Sequence, residues 1–191
     1  MSAITFLKKS FVSRALNRLF IICKDFYIDL YIQRRLISDR PVNSVAPESG
    51  INRWQNTSYD SFNAIFFKHK YVTVKPGDII IDVGCADGKL FNCLLYKGLK
   101  NRVLGYEINK AAGLKTKNNL LKYSNVEIIL EDIFDSFPAD ATLFYLFNPF
   151  DEKMMLRFIE NIKKISCNKP TIVYNYPLFA HLFDPQKKLL I

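Results

Sequence analysis

The stretch KPGDIIIDVGCADGKL, residues 75–90, constrains the fold more than any other part of this chain. Pro76 and Gly77 read as a turn, and Ile79, Ile80, Ile81 and Val83 as a short β-branched run without polar alternation. A second, glycine-bearing turn leads into a helical stretch from Lys89 to Tyr96. An unbroken apolar run of this length suits a strand covered on both faces, as in a parallel sheet. The pattern then recurs, with strands expected over Val103–Glu107, Val126–Leu130, Thr142–Phe147 and Thr171–Tyr176, and helices over Asn109–Tyr123 and Asp151–Ile165. A helix over Ser61–Tyr71, with Phe62, Ile65 and Phe66 on one side, precedes them. Strands alternating with helices predict βαβ units, hence an α/β fold with a Rossmann-like, doubly wound, mostly parallel sheet.

With 191 residues the chain suits one domain and an appended arm. We read residues 1–56 as a helical arm and loop, and 57–191 as the body. A body of this size needs no disulfide or metal to fold. Cys23, Cys85, Cys93 and Cys167 form no CxxC pair and accompany only His69 and His181, so no metal site is expected and a reduced, cytoplasmic chain is the simpler reading.

The charge is uneven. Lys and Arg number 27 against 18 Asp and Glu, a net +9, and residues 1–40 hold eight of the cations and three of the acids, so the arm carries +5. From Phe11 to Leu36 there is no proline or glycine, and Val12, Leu16, Leu19, Cys23, Phe26 and Leu30 recur in steps of three and four. That spacing predicts an amphipathic helix, with Arg14, Arg18, Asp25 and Asp29 on its other side. The charges break every run too early for a bilayer span or a signal peptide, so no transmembrane segment is expected. The arm then either lies on the body through its apolar face, or rests on a partner chain or at the periphery of an anionic membrane. Asp25 and Asp29 on the polar face would blunt attraction to such a surface, which favours the cover. Residues 41–57, with Pro41, Pro47 and Gly50, read as the linking loop.

In doubly wound sheets ligands bind at the carboxyl ends of the strands, near the point where strand order reverses. The polar residues there are Asp82 and the turn to Gly88, then Glu107, Asp132 and Asn148. The turn GCADG lacks the glycine spacing of a dinucleotide fingerprint, because Ala86 and Lys89 stand in its second and third places. It also lacks the lysine and hydroxyl spacing of a P-loop, since Leu90 follows Lys89. A cofactor without phosphates fits better. Glu107, 25 residues beyond Asp82, stands where an acid accepts from ribose hydroxyls.

In this order DVGCADG, YE, LEDIF and LFNPF resemble the successive motifs of class I S-adenosylmethionine-dependent methyltransferases, over roughly residues 57–176. The resemblance implies S-adenosylmethionine as cofactor. It implies that Asp82, Gly84, Cys85, Ala86 and Gly88 cradle its methionine end, that Glu107 holds the ribose, and that Asp132 with the backbone of Ile133 reads the adenine. It implies that Asn148, with Pro149 and Phe150, lies where the methyl group meets its acceptor, with Asn148 the catalytic residue. NPF resembles the (D/N)PP(Y/F) motif of methyltransferases acting on amino nitrogens, with one proline fewer, which suggests an amino acceptor. The segment around Tyr59 resembles the substrate entry of bacterial methyltransferases with FYLFNPF, so Tyr59 is read as substrate-binding. The family usually continues with a further helix and an antiparallel hairpin, for which HLFDPQKKLLI is too short, so the C-terminal strands are expected to be shortened or missing. The rival function is a non-catalytic basic module on the same scaffold, binding nucleic acid or a membrane surface.

Overall fold

The computed structural model describes residues 3–37, 57–165, 169–183 and 189–190. The expected loop before Thr57, Cys167 and residues 184–188 lie outside these, as do the side chains before Leu16. Among the described residues six strands, all parallel, form one sheet: β1 Ile79–Val83, β2 Arg102–Tyr106, β3 Val126–Ile129, β4 Leu143–Phe147, β5 Thr171–Asn175 and β6 Leu189–Leu190. Their order is β3-β2-β1-β4-β5-β6. The chain runs outward from β1 to β3 and returns to β4 on the other side of β1, so strand order reverses between β1 and β4 and a crevice opens there.

β1 and β4 are the central strands, and their side chains alternate between two cores. Ile80 and Tyr145 face one core with Leu90, Phe91 and Leu94 of α3 (Lys89–Tyr96), while Ile81, Phe144 and Leu146 face the other with Met155 and Phe158 of α5 (Glu152–Lys164). Ile80 and Ile81 are both fully buried, which is why β1 reads as an unbroken apolar run. α4 (Lys110–Leu120) joins the α3 side through Leu120. It is capped by Asn109, and α5 by Asp151, each accepting from a backbone amide three residues on. The helix expected over Ser61–Tyr71 starts earlier, because Ser58 caps the Ser61 amide. It runs as α2 (Tyr59–Asn63) into a π-helical turn, Ala64–Lys68.

Gly105, in the middle of β2, leaves room for the first turn to pack on the sheet. A Cβ there would come within 2.6 Å of the Phe91 ring and 2.7 Å of the Cys85 sulfur. Gly105→Ala is therefore expected to destabilise the fold by about 1–3 kcal/mol through overpacking, read as a lower midpoint in urea.

The arm is one long helix, α1 (Ala3–Gln33), of 31 residues. It ends where Arg34 turns left-handed, at φ 57°, and the chain folds back so that the Ile37 amide donates to Asp29. The face that packs on the body is opposite to the expected one. Ile28, Asp29, Ile32 and Gln33 are at most 3% exposed, whereas Leu16, Leu19, Cys23, Phe26 and Leu30 are exposed. The reason is polar: Asp29 and Gln33 find buried partners on α2 and α3, and Ile28 and Ile32 flank them in the core. From Leu16 to Cys23 every side chain is exposed, so this stretch stands clear of the body.

Candidate active site

The crevice at the end of β1 holds a small pocket, whose floor is the strand end and the turn that follows. Asp82 lines it beside Tyr145, its register partner on β4, and the walls come from Thr57, Phe62, Lys89 and Phe147. Asp82 is 5% exposed, and burial, with the negative charge of Glu107 nearby, pushes its pKa up to about 8. The pocket thus contains a carboxyl group whose proton is held by burial, and a cation placed beside it would favour its ionised form.

The turn Gly84–Gly88 is built from left-handed residues. Gly84, Ala86 and Gly88 have φ of 76°, 46° and 79°. Glycine accepts this freely, while alanine does so under strain, so Ala86 has to be held. Its amide donates to Glu107 Oε2 at 2.8 Å, and its carbonyl accepts from the Thr116 hydroxyl at 2.9 Å. The Cys85 thiol lies buried against the sheet with its pKa driven well above normal by burial, in keeping with a small filler and against a nucleophile.

Glu107 follows β2 directly and is 4% exposed. Its second oxygen accepts from the Asn109 amide at 2.7 Å, so one carboxylate spans the turn after β1 and the start of α4. Burial raises its pKa and these two amides oppose the rise. Gly113 on α4 keeps the helix close, because a Cβ there would meet Leu130 at 2.5 Å and Glu107 at 3.2 Å. Asp132, after β3, accepts from the Phe134 amide at 3.0 Å, and this bond shapes the turn that carries Ile133 into the core.

Asn148 ends β4 in a left-handed conformation, φ 45°, and its Oδ1 accepts from the Leu178 amide at 3.3 Å. Pro149 closes over the first turn, 3.7 Å from where a Gly84 Cβ would stand. Two sequence expectations meet packing instead of an open site. Phe150 is 5% exposed and its ring packs, tilted, against those of Phe134 and Phe158, with centroids 5.3 and 5.8 Å away. Tyr59 is 1% exposed; its hydroxyl donates to Asp29, the Asn92 amide donates to it at 2.9 Å, and Lys89 lies over its ring. Both residues support the site from behind.

Sequence reading missed the second layer. Gln33 of α1 donates to the Asp87 carbonyl at 2.8 Å, and Arg35 pairs with the Asp87 carboxylate at 2.8 Å, both partly buried. The arm thereby grips the turn itself. Lys89, 4% exposed, and Tyr145, whose hydroxyl meets Thr57 at 2.7 Å, complete the pocket. Among the described residues no cluster of His, Cys, Asp and Glu is fit to hold a metal ion.

Neither protein-family models nor curated proteins give a match to the sequence. Solved structures do match. The mycolic acid cyclopropane synthase CmaA1, in its apo form, superposes with a TM-score of 0.52 at 12% identity, over 61% of this chain and 44% of that one. An RNA methyltransferase from Salinibacter ruber, in complex with S-adenosyl-L-homocysteine, matches more loosely, with a TM-score of 0.42 at 18% identity, over 54% and 69%. The fold is the Rossmann-like one of the class I methyltransferases. At these identities the likeness reaches no further than the fold.

Proposed function

We propose that this protein transfers a methyl group from S-adenosylmethionine. The observation that carries the reading is the placing of two buried acids, Asp82 and Glu107, on either side of one left-handed turn at the point where strand order reverses. A ligand suited to this set carries positive charge at one end and a sugar diol at the other, and needs no phosphate grip. The residues fit that cofactor. Asp82 would hold its α-ammonium, Lys89 its carboxylate, Glu107 its ribose hydroxyls, and Asp132 with Ile133 its adenine.

When bound, S-adenosylmethionine supplies a methyl group already activated for in-line displacement. The chain's share is to bind and orient: the turn fixes one end, Glu107 the other, and Phe62, Phe147 and Leu90 keep water from the pocket. Asn148 and Pro149, at the next strand end, are the residues that hold the acceptor, and an amino nitrogen suits the side-chain carbonyl of Asn148 as hydrogen-bond acceptor.

The test is calorimetric titration of the full chain with S-adenosylmethionine and S-adenosylhomocysteine. Submicromolar to micromolar binding is expected, and no binding at millimolar ligand overturns the reading. The pH dependence sharpens it. In the free protein Asp82 keeps its proton to about pH 8, so its contribution to stability is full below the unfolded value and is lost as pH rises through 8. A cationic ligand favours the ionised form, so binding releases this proton. Affinity is expected to rise by up to roughly tenfold per pH unit below 8 and then to level off, and Asp82→Asn should flatten the curve.

Asn148→Ala is expected to leave cofactor affinity within about twofold and to lower methyl transfer by at least roughly a hundredfold, as loss of an orienting hydrogen bond does. The readout is tritiated methyl incorporation into fractionated RNA, protein and small-molecule extracts. A mutant that transfers at the parent rate would leave Asn148 a turn residue only.

A further inference from the structure

We infer that the outer face of α1 docks on an anionic lipid surface, a property separate from methyl transfer. The helix presents two opposite faces. One, with Ile28, Asp29, Ile32 and Gln33, is buried against α2 and α3. The other is an unbroken apolar stripe, Leu16, Leu19, Phe20, Phe26, Tyr27, Leu30 and Tyr31, each between 44% and 72% exposed. At 100° per residue these side chains share one side of the helix, and no charged residue interrupts them. At 1.5 Å per residue the stripe is about 23 Å long, larger than the scattered apolar exposure of an ordinary surface.

Charge selects the occupant. Residues 1–24 carry Lys8, Lys9, Arg14, Arg18 and Lys24 and no acid. The acids that would weaken attraction to an anionic surface, Asp25 and Asp29, are drawn inward, Asp29 to 1% exposure beneath Tyr59 and Asn92. A second copy of this helix packed in parallel would set one cationic segment beside another, at a repulsive cost. A nucleic acid calls for cations on the contact face, whereas this contact face is aliphatic and aromatic. An anionic bilayer accepts both features at once: the stripe enters the headgroup boundary, and the net positive charge of this segment is attracted to the lipid headgroups. Tyr27 and Tyr31 stack with centroids 5.9 Å apart, and both meet the edge of Tyr96 at 6.1 Å, which places phenols at the margin where the body approaches the surface. Because stripe and body occupy opposite sides of one helix, the body stays in water.

The experiment is flotation of the full chain with phosphatidylcholine vesicles, with and without about one third phosphatidylglycerol. The expected result is capture by the anionic vesicles, at least about tenfold weaker on neutral ones and weaker again in high salt. Leu19→Glu with Phe20→Glu, both on the exposed stretch, should reduce capture at least about tenfold while thermal melting is unchanged. No capture by anionic vesicles, or capture indifferent to lipid charge and salt, overturns the inference without reference to any variant. So does self-association, or RNA binding, that the same pair of changes abolishes while vesicles capture nothing. Cofactor titration of the same samples stays independent of all these outcomes.

Discussion

Removing residues 1–37 is expected to leave a body that neither stays soluble nor binds cofactor. Ile28 and Ile32 belong to the core shared with Tyr59, Phe62 and Leu90, so the cut uncovers a continuous apolar face. It also strips the Asp29 carboxylate from the Tyr59 hydroxyl and the Asn92 amide, both buried, and Gln33 and Arg35 from Asp87. Each donor left unpaired in the interior costs about 1–3 kcal/mol, and a domain stable by about 5–15 kcal/mol cannot lose several together with part of its core. The milder change Asp29→Ala isolates the polar share and should lower stability by at least about 2 kcal/mol in urea. A soluble truncated body that keeps its cofactor would show that the inner face of α1 does not support the turn.

Glu107→Ala is expected to raise the dissociation constant for both S-adenosylmethionine and S-adenosylhomocysteine at least tenfold, about 1.4 kcal/mol or more, since the two share the ribose. The loss has two sources. The diol loses a charged acceptor, and the Ala86 amide loses the carboxylate that holds it. Glu107→Gln removes the charge and keeps the shape: its oxygen can still serve either Ala86 or Asn109, but its NH₂ must face the other N–H. If the glutamine variant binds as the parent does, neither a charged ribose contact nor the second amide tie contributes to affinity. Calorimetry on the three proteins decides.

The strands were legible because their physics is local. Ile79–Val83 and Leu143–Phe147 are buried on both faces, which demands unbroken apolar runs, and the glycines at 84 and 88 mark the turn by their backbone freedom. The polar residues could be placed from the same strands: Glu107 and Asn148 are each the first polar residue after a strand, Asp82 is the polar residue within β1, and Asp132 follows Leu130 and Glu131 at the end of β3. The orientation of α1 was not legible. The helix is apolar on both sides, with Ile28 and Ile32 on one and Leu16, Leu19 and Leu30 on the other, so periodicity alone favoured the longer stripe. What reversed the choice was the hydrogen-bonding need of Asp29 and Gln33, met by Tyr59 and Asn92, 30 and 59 residues away. Tyr59 was misplaced on the same ground, since nothing near it in sequence announces its partner on the arm.

The strain at Ala86 has a consequence for the thermodynamics of binding. A left-handed alanine persists only where its surroundings over-determine it. Here the Glu107 carboxylate, the Thr116 hydroxyl and the Gly88 amide bonded to the Cys85 carbonyl at 2.8 Å fix three successive peptide units, while Gln33 and Arg35 hold the fourth residue from outside. The conformational entropy of this loop is surrendered when the chain folds, before any ligand arrives. Binding in the crevice then orders almost nothing of this turn, so the affinity bears the ligand's own loss of freedom but no cost for ordering the loop.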